Sequence, residues 1–403
     1  MSAPSLFASL LLALAWVAPA LAQEFPRQEE TGAMQFHGFL GQRLTYTDHN
    51  NFFGKTAAHA SLEYTEVGLN ASWQLTPSWL ASAQVIARHA GKSESASPEL
   101  DYGFVQWIPL DNADLRVSAK LGRFKIPYGL FNEGRDTPAT RDGIIPAQSL
   151  YFDGLRAFNQ SSSGALLAME HNVGEGLLTL ETGLSKVNTR DENAKWILPP
   201  YALQGRFDSQ NARLARLLYE EGPLRVAFST ADGEIDYTPA TGEQWGIVTP
   251  LSADIRFRYN VLSTQYNSDR WSLTWEYNRS QVETTATASI PLLGIRTQSQ
   301  TKNGFHWYAE GVWHLTSRWD GTLRYDRACN DDKVPSDWTQ NARDWSIGLR
   351  YRPTPEWLFA GELHRVDGVA WVPAADNIVN GSFTPENLSR HWNLLMFQVS
   401  YQF

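Results

Sequence analysis

The chain has 403 residues with 34 Lys and Arg against 43 Asp and Glu, a net charge of −9 that argues against a nucleic-acid partner. Its single cysteine, Cys329, excludes an intrachain disulfide. With 16 Trp, 15 Tyr and 19 Phe at ordinary hydrophobic content, the aromatics point to a membrane–water boundary, which suits rings with an apolar body and a polar edge.

Residues 1–22 read as a secretory signal peptide. Leu6 to Val17 is an apolar and small-residue run, too short to span a bilayer, and Ala20-Leu21-Ala22 forms an A-x-A cleavage site before Gln23. The n-region departs from the usual pattern in having no Lys or Arg. Residues 23–33 are polar and read as a periplasmic lead. Beyond them no apolar run of about 18 residues remains, which leaves a secreted soluble protein or a closed barrel.

From Met34 onward the pattern is alternation. Val67, Leu69, Ala71, Trp73 and Leu75 take one parity, and Glu66, Gly68, Asn70, Ser72 and Gln74 the other. A strand sends these sets to opposite faces. Sixteen such segments are predicted: 34–47, 61–75, 79–89, 99–110, 115–127, 159–171, 177–187, 209–220, 224–232, 252–266, 270–285, 302–315, 319–328, 343–352, 357–368 and 391–403. An extra hairpin around Tyr201 to Phe207 would give 18. The connectors alternate in length. Short ones lie at Thr76–Ser78, Asp111–Asp114, Asn172–Gly176, Glu221–Pro223, Asn267–Asp269, Thr316–Arg318 and Pro353–Glu356. Long polar ones lie at 48–60, 90–98, 128–158, 188–208, 233–251, 286–301, 329–342 and 369–390. Short turns on one rim and long loops on the other is the layout of an outer-membrane antiparallel β-barrel, here over 34–403. Its outer surface would meet lipid and lipopolysaccharide.

Trp79, Trp271, Trp319 and Trp357 each follow a short turn and so share one height, an aromatic girdle. In the last strand Leu395, Phe397, Val399, Tyr401 and Phe403 alternate to an aromatic C-terminus. This strand is expected to close the sheet, and Phe403 resembles the signal read by the barrel assembly machinery.

Taking the apolar parity as outward, the lumen is lined by Arg116 and Lys120, Arg256 and Arg258, Glu276, Arg324, and Arg350 and Arg352. Ile255, Phe257, Tyr259 and Val261 then face lipid. An Arg or Lys on the lipid face at the midplane costs roughly 2–4 kcal/mol, so the restriction of charge to one parity is a physical filter. The inward set is somewhat basic, which favours anions, and a balanced wall with little selectivity stays open. Parity slips at Arg123 and Lys125, where a bulge turning both inward is expected.

Alternation stops over Gly122 to Arg156. This segment is too long for a turn and mixes Arg123, Lys125, Arg135, Arg141 and Arg156 with Glu133, Asp136, Asp142 and Asp153. Long structureless stretches of this kind are usually functional. It reads as an obstruction inside the wall, with these nine residues forming a constriction whose opposed charges set up a transverse field. An ordinary surface loop is the alternative. Ile144, Ile145, Pro146, Leu150 and Tyr151 would pin it to the inner wall.

The block Gly122-Arg123-Phe124-Lys125-Ile126-Pro127-Tyr128-Gly129 resembles the G-x-F-K-x-P-F block of the phosphate-selective porin O/P family, and Asp101-Tyr102-Gly103-Phe104-Val105 also fits. The resemblance implies a passive channel for small polar or anionic solutes, a third loop folded into the lumen, and a homotrimer. No lysine ladder of a phosphate-selective kind accompanies it. No metal or cofactor motif is present, and Asn330-Asp331-Asp332 reads as a solvated loop tip. An outer-membrane enzyme and a secreted carbohydrate-binding β protein are the rival readings. No spacing pairs His306, His314 or His364 with a serine.

Overall fold

The computed structural model describes residues 32–189, 205–244, 247–379 and 383–403. The expected signal peptide and nearly all of the lead lie outside the described residues. The rest is one antiparallel sheet closed on itself. Sixteen strands build the wall: β1 (Met34–Thr47), β2 (Ser61–Thr76), β3 (Trp79–Ala90), β4 (Glu99–Asp111), β5 (Leu115–Lys125), β6 (Ser161–Val173), β7 (Gly176–Val187), β8 (Asn211–Glu221), β9 (Leu224–Thr238), β10 (Thr249–Asn267), β11 (Trp271–Ile290), β12 (Gly294–His314), β13 (Trp319–Cys329), β14 (Asn341–Tyr351), β15 (Trp357–Gly368) and β16 (His391–Gln402).

Each strand pairs with its sequence neighbour, and β16 returns to β1, with Leu40 opposite Tyr401 and Thr47 opposite Leu394. The Phe403 amide donates to the Gly38 carbonyl and the Gly38 amide to the Phe403 carbonyl, both at 3.0 Å. Closure leaves no open edge. Two short strands, Glu94–Ser95 and Arg206–Ser209, pair with the long-loop ends of β3 and β9 without entering the wall. The expected alternative of 18 spanning strands is therefore not realised: β7 pairs directly with β8.

The outward rows hold exposed aliphatic residues such as Leu273, Leu323, Ile347 and Leu363. Below them the four expected tryptophans each begin a strand, and neighbours extend the row. Trp79 stacks on Trp107 at 6.0 Å, Trp271 on Tyr266 at 5.4 Å and Trp319 on Tyr351 at 4.5 Å, while Trp357 packs against Tyr401 at 4.9 Å. A second row, in which Tyr325 packs between Trp307 and Trp345, lies six residues along β13 from Trp319, roughly 20 Å of strand. Two aromatic rows bounding an aliphatic band match a bilayer in cross-section. The apolar rows face outward and do not meet in a dry interior, so the fold is not a soluble β-sandwich.

Two expectations about the long-loop end are corrected. Residues 286–301 are not a loop. Strands β11 and β12 run on to a turn at 291–293, with Ile290 opposite Gly294. Hydroxyl pairs lace this extension: Thr285 with Ser299 at 2.8 Å, and Thr287 with Thr297 at 3.0 Å. Threonine is a good strand former, but above the membrane both faces meet water and the apolar alternation that marks a strand disappears.

The second correction concerns orientation. On β10, Val261, Ser263 and Gln265 are buried while Leu262 and Tyr266 are exposed, and the pairing with β11 runs without a shift from Ser252 to Asn267. Ile255, Phe257 and Tyr259 therefore face inward with Val261, and Arg256 and Arg258 face outward. Past the aliphatic band the outer face is wetted, so charge marks the outside there. Glu234, Asp236 and Asp254 join Arg256 on that outer face, with Arg256 3.2 Å from Glu234.

Candidate functional site

The segment 126–160 leaves the end of β5 and folds into the lumen, touching wall strands around most of the circumference. Phe124, Ile126, Tyr128, Leu150 and Tyr151 bury against Leu166, Leu214, Val261 and Tyr308 of the wall. Ile144 and Ile145 bury in a second cluster with Tyr64, Val366 and Met396 on another side. The sequence signal that located the loop, loss of alternation with scattered apolar residues, corresponds to a chain that packs on a curved inner wall instead of pairing with it.

Against β8 to β12 the mooring centres on hydrogen bonds to one carboxylate, with Arg216 beside it. Glu276, fully buried, accepts from the hydroxyls of Tyr151, Tyr308 and Ser263, each at 2.6 Å, and from the Leu130 amide at 2.9 Å. Gly129 sits in the left-handed region, φ 61°, with a Cβ position only 2.3 Å from Tyr151 Oη and 2.7 Å from Glu276 Oε1. Only glycine allows the chain this close. The Gly129 carbonyl accepts from Arg216 at 3.2 Å, and Arg216 also bridges Glu133 and Glu181 at 2.8 and 2.6 Å.

Against β1 to β4 the mooring is ionic. Glu66 is shared by Arg43 at 2.6 Å, Arg88 at 3.1 Å and the loop's Arg141 at 2.8 Å. Arg88 also reaches Glu94 at 2.7 Å and the loop's Asp153 at 2.9 Å, and Asp153 accepts from Tyr64 Oη at 3.0 Å. Arg43 lies over the Tyr64 ring, 3.9 Å from its centroid. Lys125 is clamped between Asp101 and Asp136, and Asp136 also holds Arg156. Burial pushes the Asp153 carboxyl up, but Arg88 and Arg135 outweigh it and hold it below the usual range. Arg156 and Lys125 do the same for Asp136.

A third set of contacts joins the loop to β13, β14 and β15. The Ile144 amide donates to Glu362 at 2.8 Å, Arg324 donates to the Ile145 carbonyl at 3.3 Å, and Arg350 pairs with Asp142 at 3.1 Å. Glu362 also lies 3.4 Å from His364 Nε2, and His364 Nδ1 lies 2.6 Å from Asp344.

These partners change the picture of the predicted constriction. Arg135, Asp136, Arg141, Asp153 and Arg156 are only 3–7% exposed, so they do not face water as opposed rows. Glu133 and Asp142 keep more exposure, at 39% and 27% of their side chains. No bulge occurs at Arg123 and Lys125, because β5 pairs with β6 in unbroken register from Leu115 to Lys125. The irregularity lies one strand earlier, where Gln84 and Val85 face Tyr102 and Leu100 and skip Asp101. Asp101 thereby reaches Lys125, while Arg123 Nε stays on the wall, donating to the Asp101 carbonyl at 2.9 Å and Ser161 Oγ at 3.1 Å.

Among the predicted wall residues, Arg116, Lys120, Arg324, Arg350 and Arg352 stand on the inward parity. Arg116 lies 3.8 Å from Asp111, the Lys120 ammonium sits over Phe104 at 5.3 Å, and Arg324 pairs with Glu310 at 3.1 Å. Arg352 donates to the Ala139 carbonyl at 2.9 Å. Glu276 points inward but lies beneath the loop, and Arg256 and Arg258 are outside. Arg43, Tyr64, Arg216 and Asp344 belong to the moorings and were missed. Inward parity was available as a signal for each of them, but their partners lie far away in sequence.

The loop divides the lumen at the level of Glu276, Tyr308 and Asp326. On the short-turn side is a charged cavity of about 140 Å³ lined by Arg135, Arg141, Asp142, Glu310 and Arg324. On the long-loop side is a larger one of about 330 Å³, lined mainly by apolar and aromatic residues. In it Ser280 Oγ and His306 Nε2 lie 3.1 Å apart, a contact the sequence spacing did not single out.

No protein-family model matches the sequence, and no curated protein matches it. Solved structures do. OmpT of Vibrio cholerae superposes with a TM-score of 0.55 at 11% identity, over 93% of this chain and 99% of that one. An anion-selective porin from Comamonas acidovorans gives 0.54 at 12% identity, over 92% and 100%. OmpF of Salmonella typhi, in a complex with daunomycin, gives 0.54 at 10% identity, over 92% and 98%. At these identities the likeness is one of architecture: the chain has the closed 16-stranded barrel of outer-membrane porins.

Proposed function

We propose that this chain is an outer-membrane porin, a passive channel for small polar or anionic solutes whose lumen is narrowed by the loop 123–156. The observation that carries the reading is a loop moored across a closed barrel with a cavity on either side of it. The aliphatic band between two aromatic rows supports insertion in the outer membrane, in contact with lipid and lipopolysaccharide. A homotrimer is the assembly we infer, since OmpT of Vibrio cholerae is also solved in a trimer form. Phe403, paired with Gly38 in the closed barrel, is the residue we assign to recognition by the assembly machinery before closure.

Selectivity follows from which charges remain open. Most inward guanidinium groups are closely engaged with carboxylates, while Lys120 and Arg352 stay half-exposed toward the short-turn mouth, Arg352 at 4.0 Å from Asp320. This supports a weak preference for anions. A phosphate-selective channel is the finer reading of the 122–129 block, but its lysine, Lys125, is held between two carboxylates and is not offered to an anion. Planar-bilayer recording tests the proposal. Stepwise conductance with a reversal potential displaced modestly toward the anion is expected, and folded protein that gives no steps would refute the channel.

A hydrolase reading meets one observation, the Ser280–His306 contact. Among the described residues the other ring nitrogen of His306 has no partner, and no third group orients it as a base. The pair therefore favours binding over turnover. Nitrophenol release from a p-nitrophenyl ester, abolished by Ser280→Ala, would reverse this conclusion.

A further inference from the structure

We propose that the cavity on the long-loop side of the inner loop is a binding site for a small hydroxylated aromatic carboxylate, of the 4-hydroxybenzoate type. The proposal deepens the channel reading by naming a solute class, and it rests on that reading only for how the ligand arrives.

The cavity, about 330 Å³, is of a size that suits a small ligand. Its wall is unusual for a water-filled lumen. Ile235, Ile255, Phe257, Tyr259 and Val282 all contribute from inward positions on β9, β10 and β11. Phe257 and Tyr259 lie 5.7 Å apart, and Tyr259 meets the loop's Tyr128 edge to face at 6.3 Å. Such surface is unfavourable against water and favourable against a planar apolar body.

The polar groups in this wall are few and incompletely satisfied. Among the described residues His306, 8% exposed, has no partner at Nδ1, and Asn278, 2% exposed, has none at Oδ1. Buried polar atoms left unpaired are costly, and each asks for a partner. When the Ser280 hydroxyl donates to His306 Nε2, the ring proton is on Nδ1, closed off in the wall until a small turn of the ring offers it to an incoming oxygen. Asn278 supplies an acceptor beside it, directly across the ladder from His306. One group that both accepts and donates, such as a phenolic hydroxyl, answers both atoms.

Among the described lining residues the only full charge is Lys302. Its ammonium donates to Gln340 Oε1 at 2.8 Å and forms no salt bridge among the described residues, although its charge is felt by Asp337. Lys302 and His306 share the inward face of β12, four residues apart or roughly 13 Å along the strand, with Gly304 between them. The geometry thus offers a cation for a carboxylate at one end, hydrogen-bonding atoms for a hydroxyl at the other, and apolar walls for the ring between. An inorganic anion would leave those walls wet, and a sugar would place hydroxyls against them.

The test is calorimetric titration of the folded, detergent-solubilised protein with 4-hydroxybenzoate, with heat-modifiable gel migration confirming that each variant is folded. Lys302→Met is expected to weaken 4-hydroxybenzoate about tenfold, the loss of one charge-assisted contact, while leaving 4-hydroxybenzyl alcohol unchanged. Phe257→Ser should weaken both ligands. Equal binding of 4-hydroxybenzoate by Lys302→Met, or acetate competing as well as benzoate, would overturn the site, as would no binding to the unaltered protein. Binding without conductance steps in a bilayer would refute the channel and leave the site standing. Steps that appear with no binding would do the reverse.

Discussion

The two sides of the lumen hold the same loop by opposite chemistry. Toward β1 to β4 it is held by charge: Glu66 is shared among three guanidinium groups, and Asp136 and Asp153 each hold two cations. Toward β8 to β12 its principal anchor is Glu276, which has no cationic partner among the described residues and is satisfied by three hydroxyls and an amide. A paired network fails badly when one member is removed, because the remaining charges are stranded out of water. A hydrogen-bonded carboxylate can be replaced by a near-isostere at lower cost. The ionic side therefore fixes whether the loop stays in the lumen, and the neutral side tunes how closely it lies on the wall.

The sharpest way to break this contrast is Glu66→Gln. It leaves Arg43, Arg88 and Arg141 without their shared carboxylate and is expected to cost about 3–5 kcal/mol. Thermal unfolding should show the loss, and larger, noisier conductance steps should show a released loop. Glu276→Gln should cost less, about 1.5–3 kcal/mol, and Tyr151→Phe about 1 kcal/mol. If Glu276→Gln proved the more damaging, the assignment of the main anchor to the ionic side would fall.

Acid sharpens the comparison further. Asp136 and Asp153 have carboxyls held below their unfolded value, near 3.9. The stability they confer is present above that value and is lost as pH falls through the folded one. Conductance and unfolding midpoint should therefore change little from this source between pH 7 and 5, and the ionic mooring should loosen only well below pH 4. Loosening at pH 6 would mean that some other group governs the loop.

The smallest effects come from the end of β5. Lys125→Ala should move the reversal potential toward cations, because Asp101 and Asp136 lose a counter-charge. Arg123→Ala, on the wall, should leave it nearly unchanged. Equal shifts from both would restore the expectation that the two face the constriction together.

The barrel was legible because lipid imposes alternation on every spanning segment, and the loop was legible as the place where alternation fails. Two things were hidden for physical reasons. Beyond the aliphatic band hydropathy stops reporting orientation, so Ile255 and Phe257 were read as lipid-facing when they line the larger cavity. The partners of the charges were hidden too. Arg43 and Gln398 are joined at 3.0 Å across the closing seam, a neighbour relation that exists only once the sheet is a cylinder. Residues such as Asp136 and Arg156 were assigned to the constriction by type, yet type alone does not distinguish a charge offered to a solute from one already engaged.

The rim of the cylinder is uneven. On the side of β11 and β12 the sheet rises above the wall, flanked by β10 as far as Thr249 opposite Ser289 and ending in exposed Leu292, Leu293 and Ile295. The closing seam between β1 and β16 lies elsewhere on the circumference. A protease nick at exposed Arg296 would thus sever this extension's backbone while the hoop of hydrogen bonds beneath it holds, so a part of the molecule that stands past the aliphatic band is also a part the barrel can lose.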